Sequence, residues 1–564
     1  MKIFVLLFCC ALAFVVEAQK NVNPVVETRN GAVKGSILKT RLGKDIYSFR
    51  GVRYADAPTG RNRFKQSTPA KPHTGIFDAT QEGPSCPQFV DDSRVMAEDC
   101  LRLNVYTNKL PKPNGELQDV IVFLHPGAFY SFSGTYDFGP ENILDSNIVL
   151  VTLNYRLGSL GWMSTGDERA PGNGGLKDQV LALRWIKDNI ENFGGNPGSV
   201  TLIGCSAGSW SIALHMLSPM SAGLFHRAIM ISGAPTAQKL LPNDQKNLAI
   251  KQAELLNCPT GNEDQMFDCL YEKPIEEFVK SRPGFAEFYG DPVLVWSPVI
   301  EQSHCQNNNG EAFLTGQPID LIRERKGYFV PTIIGVNRDE FAYVITIASQ
   351  QSAMGNNSIY DDFNSRWEDI APISFAYERN TARSREISRE LKSFYLNNQP
   401  LGPNHSEGLG QLYADSLIIF QTHRQERLLT AYSPAPVYNY LYDFEGCATF
   451  GAWSNGTHYG VAHHDELLII FRVTGFPALC NNDVKTLNRL SGIITNFAKS
   501  GVPIPPNNPE FSNVHWQPNT VENPKYLKIA DELSIEDGII YSARMDKWEE
   551  LFPLPPIAKS KKGK

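Results

Sequence analysis

The chain has 564 residues, with 53 Lys and Arg against 60 Asp and Glu, a net charge of −7. Hydrophobic residues make up 42% and aromatics 11%, which excludes an intrinsically disordered or fibrous chain. The acidic balance argues against a nucleic-acid binder, which presents a basic face.

In chain order, the first element is a secretory leader. Lys2 gives the charged start, Ile3–Val16 is nearly unbroken apolar sequence, and Val16-Glu17-Ala18 carries small residues at the cleavage positions. The expected division is a signal peptide over 1–18, a single α/β domain over 19–552 and a mobile Pro/Lys-rich tail over 553–564. The apolar stretch is short for a bilayer span, which needs about 20 residues. No later uncharged apolar run is long enough to cross a membrane, and the tail has no GPI or retention signal. Cys9 and Cys10 leave with the leader. In a secreted chain, Cys86 with Cys100 and Cys258 with Cys269 form two local pairs suited to disulfides, each contributing roughly 3 kcal/mol on a loop-entropy model. Spacing assigns none of Cys205, Cys305, Cys447 and Cys480, a Cys447–Cys480 bridge being one arrangement. No CxxC pair points to a metal.

Strands are expected at Asp119–Leu124, Ile148–Asn154 and Ser199–Ile203, and Ala228–Ile231 and Val330–Val336 are further apolar runs. Between them, Leu176–Asn192 reads as an amphipathic helix, with Val180, Leu183, Ile186 and Ile190 at helical spacing and Gly194-Gly195 ending it. This alternation predicts a doubly wound α/β sheet, mostly parallel and flanked by helices. The stretches 303–310 and 397–409 read as surface loops. Asn356, Asn404 and Asn455 begin sequons and are candidate glycan sites.

Gly204-Cys205-Ser206-Ala207-Gly208 fits G-x-S-x-G between a strand and an apolar helical stretch. That context suits a nucleophile elbow, where glycines admit a strained turn that lifts the serine above the sheet. A serine hydroxyl needs a base, and the base needs an orienting acid. Asp339-Glu340 ends one expected strand, and His463-His464 lies in an expected loop. The order serine, acid, histidine is the one this architecture uses. Upstream, strand 119–124 runs into His125-Pro126-Gly127-Ala128-Phe129. Two N–H groups there, with that of Ala207, are candidate donors to a tetrahedral oxyanion.

At this point the sequence resembles the type-B carboxylesterase/cholinesterase family of α/β-hydrolases, most closely its secreted insect-type carboxylesterases, across nearly the whole mature chain. The resemblance rests on Phe193–Gly208, on Glu98-Asp-Cys100-Leu-Arg-Leu-Asn104, on Phe49–Gly60 and on Gly172–Gln179. It implies Glu340 as the acid, His463 as the base, and Gly127, Ala128 and Ala207 as oxyanion donors. It also implies the Cys86–Cys100 and Cys258–Cys269 bridges. His464 takes a place usually held by glycine. Pro126 replaces the first residue of a glycine run, at a position that is not a donor. Cys205 replaces a polar residue and reads as a small buried thiol. Trp210 is bulkier than usual, Phe341 stands where glycine is common, and Arg102 where an aromatic is usual.

The resemblance separates the chain from cholinesterases, whose choline-binding tryptophan lies in the first disulfide loop. Here Pro87–Asp99 has only Phe89 as an aromatic. Juvenile-hormone esterases usually carry glutamine where Cys205 stands. The expected activity is serine carboxylesterase action on a small-molecule ester, with no metal or organic cofactor. Phe129, Tyr130 and Trp210 are candidate pocket walls. The alternatives are a catalytically silent adhesion or binding protein on the same fold, or a more specialised hormone, pheromone or lipid esterase.

Overall fold

The computed structural model describes residues 23–90, 93–301, 311–451, 459–506, 511 and 514–554. The expected leader, Cys305, the 303–310 loop, the Asn455 sequon and the tail beyond residue 554 lie outside the described residues.

An eleven-stranded sheet carries the fold. Its strands are β1 (Ser36–Lys39), β2 (Asp45–Arg53), β3 (Arg102–Thr107), β4 (Gln118–Leu124), β5 (Val149–Leu153), β6 (Gly195–Cys205), β7 (Arg227–Ile231), β8 (Thr332–Asn337), β9 (Val437–Tyr442), β10 (Lys525–Ile529) and β11 (Leu533–Asp537). Across the sheet they stand β11-β10-β9-β8-β7-β6-β4-β5-β3-β2-β1. β5, β4 and β6 to β10 run parallel. β1, β2, β3 and β11 add antiparallel margins.

The strand order follows from burial on both faces. In β4, Val120, Val122 and Leu124 enter one apolar cluster, while Ile121 and Phe123 enter the other. Such strands read as continuous apolar runs because helices cover each side. Each fully buried side chain of this kind stabilises by roughly 1.5–3 kcal/mol. β5 returns beside β4 on one side and β6 on the other, so the order reverses between β4 and β6. Open α/β sheets bind ligands at the carboxyl ends flanking such a reversal.

The helices that matter for the site are α1 (Gly174–Asn189), α2 (Ala207–Leu217), α3 (Ser358–Ser374), α4 (Ala382–Leu396), α5 (Glu407–Ala414), α6 (Phe420–Tyr432), α7 (Asp465–Ile470), α8 (Asn481–Ser500) and α9 (Ser542–Leu551). α1 and α2 cover one sheet face; α7 and α8 cover the other. α1 starts two residues earlier than its apolar pattern, because Gly174-Gly175 pack against Arg156 and Trp162, where a Cβ on Gly175 would stand 2.8 Å from the Arg156 carbonyl. It ends at Asn189, and Ile190–Phe193 tightens into a 3₁₀ turn that Gly194 closes at φ 85°. α3 to α6 form a long helical excursion between β8 and β9, and with α9 bury a third cluster around Phe363, Trp367, Leu409, Phe420 and Trp548. The expected loop at 397–409 is shorter than its composition indicates, since α5 begins at Glu407.

Cys86–Cys100 and Cys258–Cys269 are bridged. Cys447–Cys480 is a third bridge, spanning 33 residues, and Cys205 is the free cysteine among the described residues. Among those residues, no helix is long and apolar enough to cross a membrane.

Candidate active site

Ser206 is the single residue between β6 and α2, with φ 55° and ψ −117°. A non-glycine residue is strained there and persists only where its surroundings impose the conformation. Its N–H donates to the Ile231 carbonyl at 2.8 Å. The flanking glycines are required by close approach. A Cβ on Gly208 would lie 2.0 Å from the Leu124 carbonyl oxygen, and one on Gly204 would lie 2.7 Å from the Gly208 backbone. Gly204 pairs with Leu124 across the sheet, so the serine stands at the reversal between β4 and β6. Cys205 points into the opposite cluster with Ile203 and Ile231. Burial raises its thiol pKa well above the ordinary range, as expected for a packed, unreactive cysteine.

The segment after β8 carries the two acids, and they part company. Asp339 pairs with Arg338 at 2.7 Å and accepts the Val461 N–H at 2.8 Å. Glu340 is fully buried; its Oε1 accepts the Asn337 N–H at 2.7 Å, and its Oε2 lies 2.6 Å from His463 Nδ1. The two segments are also laced by backbone: His463 N–H donates to the Glu340 carbonyl at 3.0 Å, and Asp339 N–H to the Val461 carbonyl at 3.0 Å. The Asn337 amide donates to the Ala462 carbonyl at 2.7 Å.

Burial raises the Glu340 carboxyl and lowers the His463 imidazole from their ordinary values, so an isolated imidazolium is disfavoured here. We assign the Nδ1–H tautomer, with Glu340 as its acceptor. His463 Nε2 is buried and makes no hydrogen bond, so its lone pair is uncommitted; among the described residues it is not bonded to Ser206 Oγ. Such contacts are often long in unliganded enzymes and tighten when substrate binds.

The loop after β4 is the third component. Gly127, Ala128, Phe129 and Phe132 have φ of 109°, 48°, 64° and 69°. Gly127 has no room for a side chain: a Cβ would stand 2.1 Å from the Ser131 carbonyl oxygen. The Gly127 carbonyl accepts from Tyr130 and Ser131, and Gly158 N–H ties down the Phe129 carbonyl at 2.7 Å. Among the described residues, the N–H groups of Gly127, Ala128 and Ala207 donate to no protein acceptor. Pro126, lacking an N–H, leaves these three groups intact.

Ser206, Gly127, Ala128 and Ala207 line a cavity of about 190 Å³ whose other walls include Tyr130, Phe132, Trp210, Leu294, Phe341, Leu417 and His464. Trp210, Leu294, Leu417 and Gln421 also border a larger cavity of about 740 Å³, so they stand between the two. Trp210 therefore walls the pocket as well as packing edge-on to Phe129 at 6.3 Å. Phe341 lies 4.5 Å from the His463 ring. Phe89 is 54% exposed and is not part of this wall. Arg102 is paired with Asp99 at 2.9 Å, away from the cavity lining. Asn356 and Asn404 are exposed.

Sequence reasoning missed Leu294, Leu417 and Gln421. Leu417 lies in a π-helical turn, Asp415–Ile419, between α5 and α6. Such turns cluster at functional sites, but no residue type marks them in advance.

Comparison with known proteins places this geometry. The crystal structure of juvenile hormone esterase from Manduca sexta, with OTFP covalently attached, matches with a TM-score of 0.81 at 28% identity, covering 94% of this chain and 100% of that one. The fold is thus that of the α/β-hydrolases. A family model described as "Carboxylesterase family" matches residues 22–548. Esterase FE4 of Myzus persicae is 34% identical over 533 residues, covering 91% of this chain and 90% of that protein. Juvenile hormone esterase of Tribolium castaneum is 32% identical over 532 residues, covering 90% and 88%. The chain belongs to the carboxylesterase family and is a carboxylic ester hydrolase.

Proposed function

We propose that the protein is a secreted serine carboxylesterase that hydrolyses small-molecule esters through an acyl-enzyme on Ser206. The observation that carries this reading is the buried Glu340–His463 pair, with His463 Nε2 uncommitted, beside an elbow serine. The Ser206 hydroxyl attacks the ester carbonyl carbon as its proton passes to His463 Nε2. The resulting oxyanion accepts from Gly127, Ala128 and Ala207; one such donor is worth about 3–4 kcal/mol in comparable sites. The tetrahedral intermediate collapses, and the alcohol leaves with the proton from His463. Water, deprotonated by His463, then releases the carboxylic acid and restores the serine. Glu340 holds the imidazole in its tautomer and stabilises the imidazolium. No step calls on a metal or an organic cofactor.

Secretion is supported by the 1–18 leader and by three disulfides, which persist in oxidising compartments. The sequons at Asn356, Asn404 and Asn455 are proposed glycan sites, and the 19–552 span is proposed as one catalytic domain. The test is hydrolysis of a short-chain aryl acetate by the purified protein beside Ser206→Ala, with organophosphate adducts counted by mass spectrometry. One adduct on Ser206 and a silent variant are expected. A folded protein with no turnover and no adduct overturns the reading in favour of a binding protein.

A further inference from the structure

We infer that His464 is a specificity-determining residue, whose imidazole hydrogen-bonds a hydroxyl or carbonyl group carried by the substrate close to the reacting ester. The inference rests on the esterase reading above.

The backbone comes first. His464 sits at φ 79° and ψ 0°, just ahead of α7, in the left-handed region that favours glycine. Histidine tolerates that region better than most residues, but at some cost. The turn itself needs no side chain there.

The surroundings say what the side chain meets. The His464 ring lines the same cavity as Ser206, Gly127 and Ala128. Its centroid lies 3.9 Å from that of His463, and Phe132 and Phe450 meet it edge-on at 5.9 and 5.3 Å. These rings hold its orientation without offering it a hydrogen bond. Nε2 is closed off without a partner; Nδ1 makes no hydrogen bond among the described residues and is not closed off, so it is the nitrogen a substrate group in the cavity can reach. His215, by contrast, has both ring nitrogens engaged, with Ser221 at 2.7 Å and Gln179 at 2.9 Å.

Burial and the adjacent His463 keep the His464 ring neutral. A neutral imidazole offers one donor and one acceptor. Glu340 pairs with His463, and among the described residues no carboxylate hydrogen-bonds His464 to make it a second base. The nearby Trp210, Leu294, Phe341 and Leu417 give the pocket an apolar wall. In such a pocket a few uncommitted polar groups fix orientation and select the ligand. An ester bearing a hydroxyl or carbonyl satisfies the imidazole; a purely hydrocarbon ester leaves it unpaired.

The experiment measures kcat/KM on the full chain for two matched pairs of aryl esters. One pair differs by a hydroxyl in the acyl group, the other by a hydroxyl in the alcohol. In at least one pair the wild type is expected to prefer the hydroxylated ester. His464→Gly, which relaxes the turn and removes the ring, lowers that preference about 10-fold; His464→Asn, which tolerates the turn and keeps a polar amide, retains most of it. An unchanged preference in both pairs for His464→Gly, with Ser206 still labelled one to one by an organophosphate, overturns the inference and leaves the esterase reading standing. If His464→Gly does not fold, calorimetry on the wild type with hydroxylated and plain trifluoroketones decides: equal affinities overturn it. A wild type that neither turns over nor labels counts against the esterase reading instead.

Discussion

The floor and the wall of the cavity beside Ser206 are built on different length scales. Gly127, Ala128, Ser206 and Ala207 lie within a few residues of the ends of β4 and β6. Their backbone is dictated by immediate neighbours, such as the Leu124 carbonyl under Gly208 and the Ser131 carbonyl under Gly127. Leu294, Phe341, Leu417 and Gln421 come from segments between β7 and β9, and the helical part of that region is held by an apolar cluster of its own. The floor has one conformation that neighbouring atoms permit. The wall can change its side chains without disturbing the floor, so chemistry and selectivity can vary separately.

Substitutions test that division. Ser206→Ala and His463→Ala should each reduce kcat by roughly 10⁴-fold or more, while His464→Ala keeps measurable turnover; a dead His464→Ala beside an active His463→Ala reverses the assignment of the base. Glu340→Gln should lower kcat by about 10³–10⁴-fold with little change in KM, whereas Asp339→Asn, which weakens the Arg338 pair and the bond from the Val461 N–H but leaves the Glu340–His463 contact in place, should cost less than about 10-fold. Gly208→Ala attacks the floor without touching a reacting group. Its Cβ meets main chain, so it should lose about 100-fold in kcat and about 1–3 kcal/mol in a denaturant titration. Leu417→Ala attacks the wall. Here KM ratios between small and bulky esters should shift by less than about 10-fold, with organophosphate labelling of Ser206 still one to one.

The smallest expected effect is on stability. Burial lowers the His215 pKa to about 3 in the folded protein. An unfolded imidazole titrates near 6.5, so below that pH the unfolded chain takes up a proton that the folded one refuses. Stability therefore falls on acidification by about 1.4 kcal/mol per pH unit from this group, between its unfolded and folded values. His215→Gln should flatten the dependence of the urea midpoint on pH between 6.5 and 5. An equally steep dependence would assign the acid sensitivity to other groups.

The same difference in scale explains what could be read in the sequence. Ser206 and the loop after β4 were legible because strand, turn and helix follow one another within a few residues. Asp339 against Glu340, and His463 against His464, were undecided from residue type alone and were separated only by the family resemblance. The structure pairs Glu340 with His463 across 123 residues, a contact no local pattern encodes. Spacing alone leaves the Cys447–Cys480 bridge undecided for the same reason. Trp210 was legible as a bulky residue near the serine, but its place between the two cavities depends on Leu294 and Leu417, which arrive from distant segments.

The lacing between residues 337–340 and 461–463 has a consequence for how the enzyme loses its structure. Side-chain and backbone bonds cross between the two segments in both directions. Neither segment can open without breaking the bonds of the other, so they should behave as one cooperative unit. In native-state hydrogen exchange, the amides of Asp339, Val461 and His463 should then share one opening free energy and respond together to any substitution that loosens either segment.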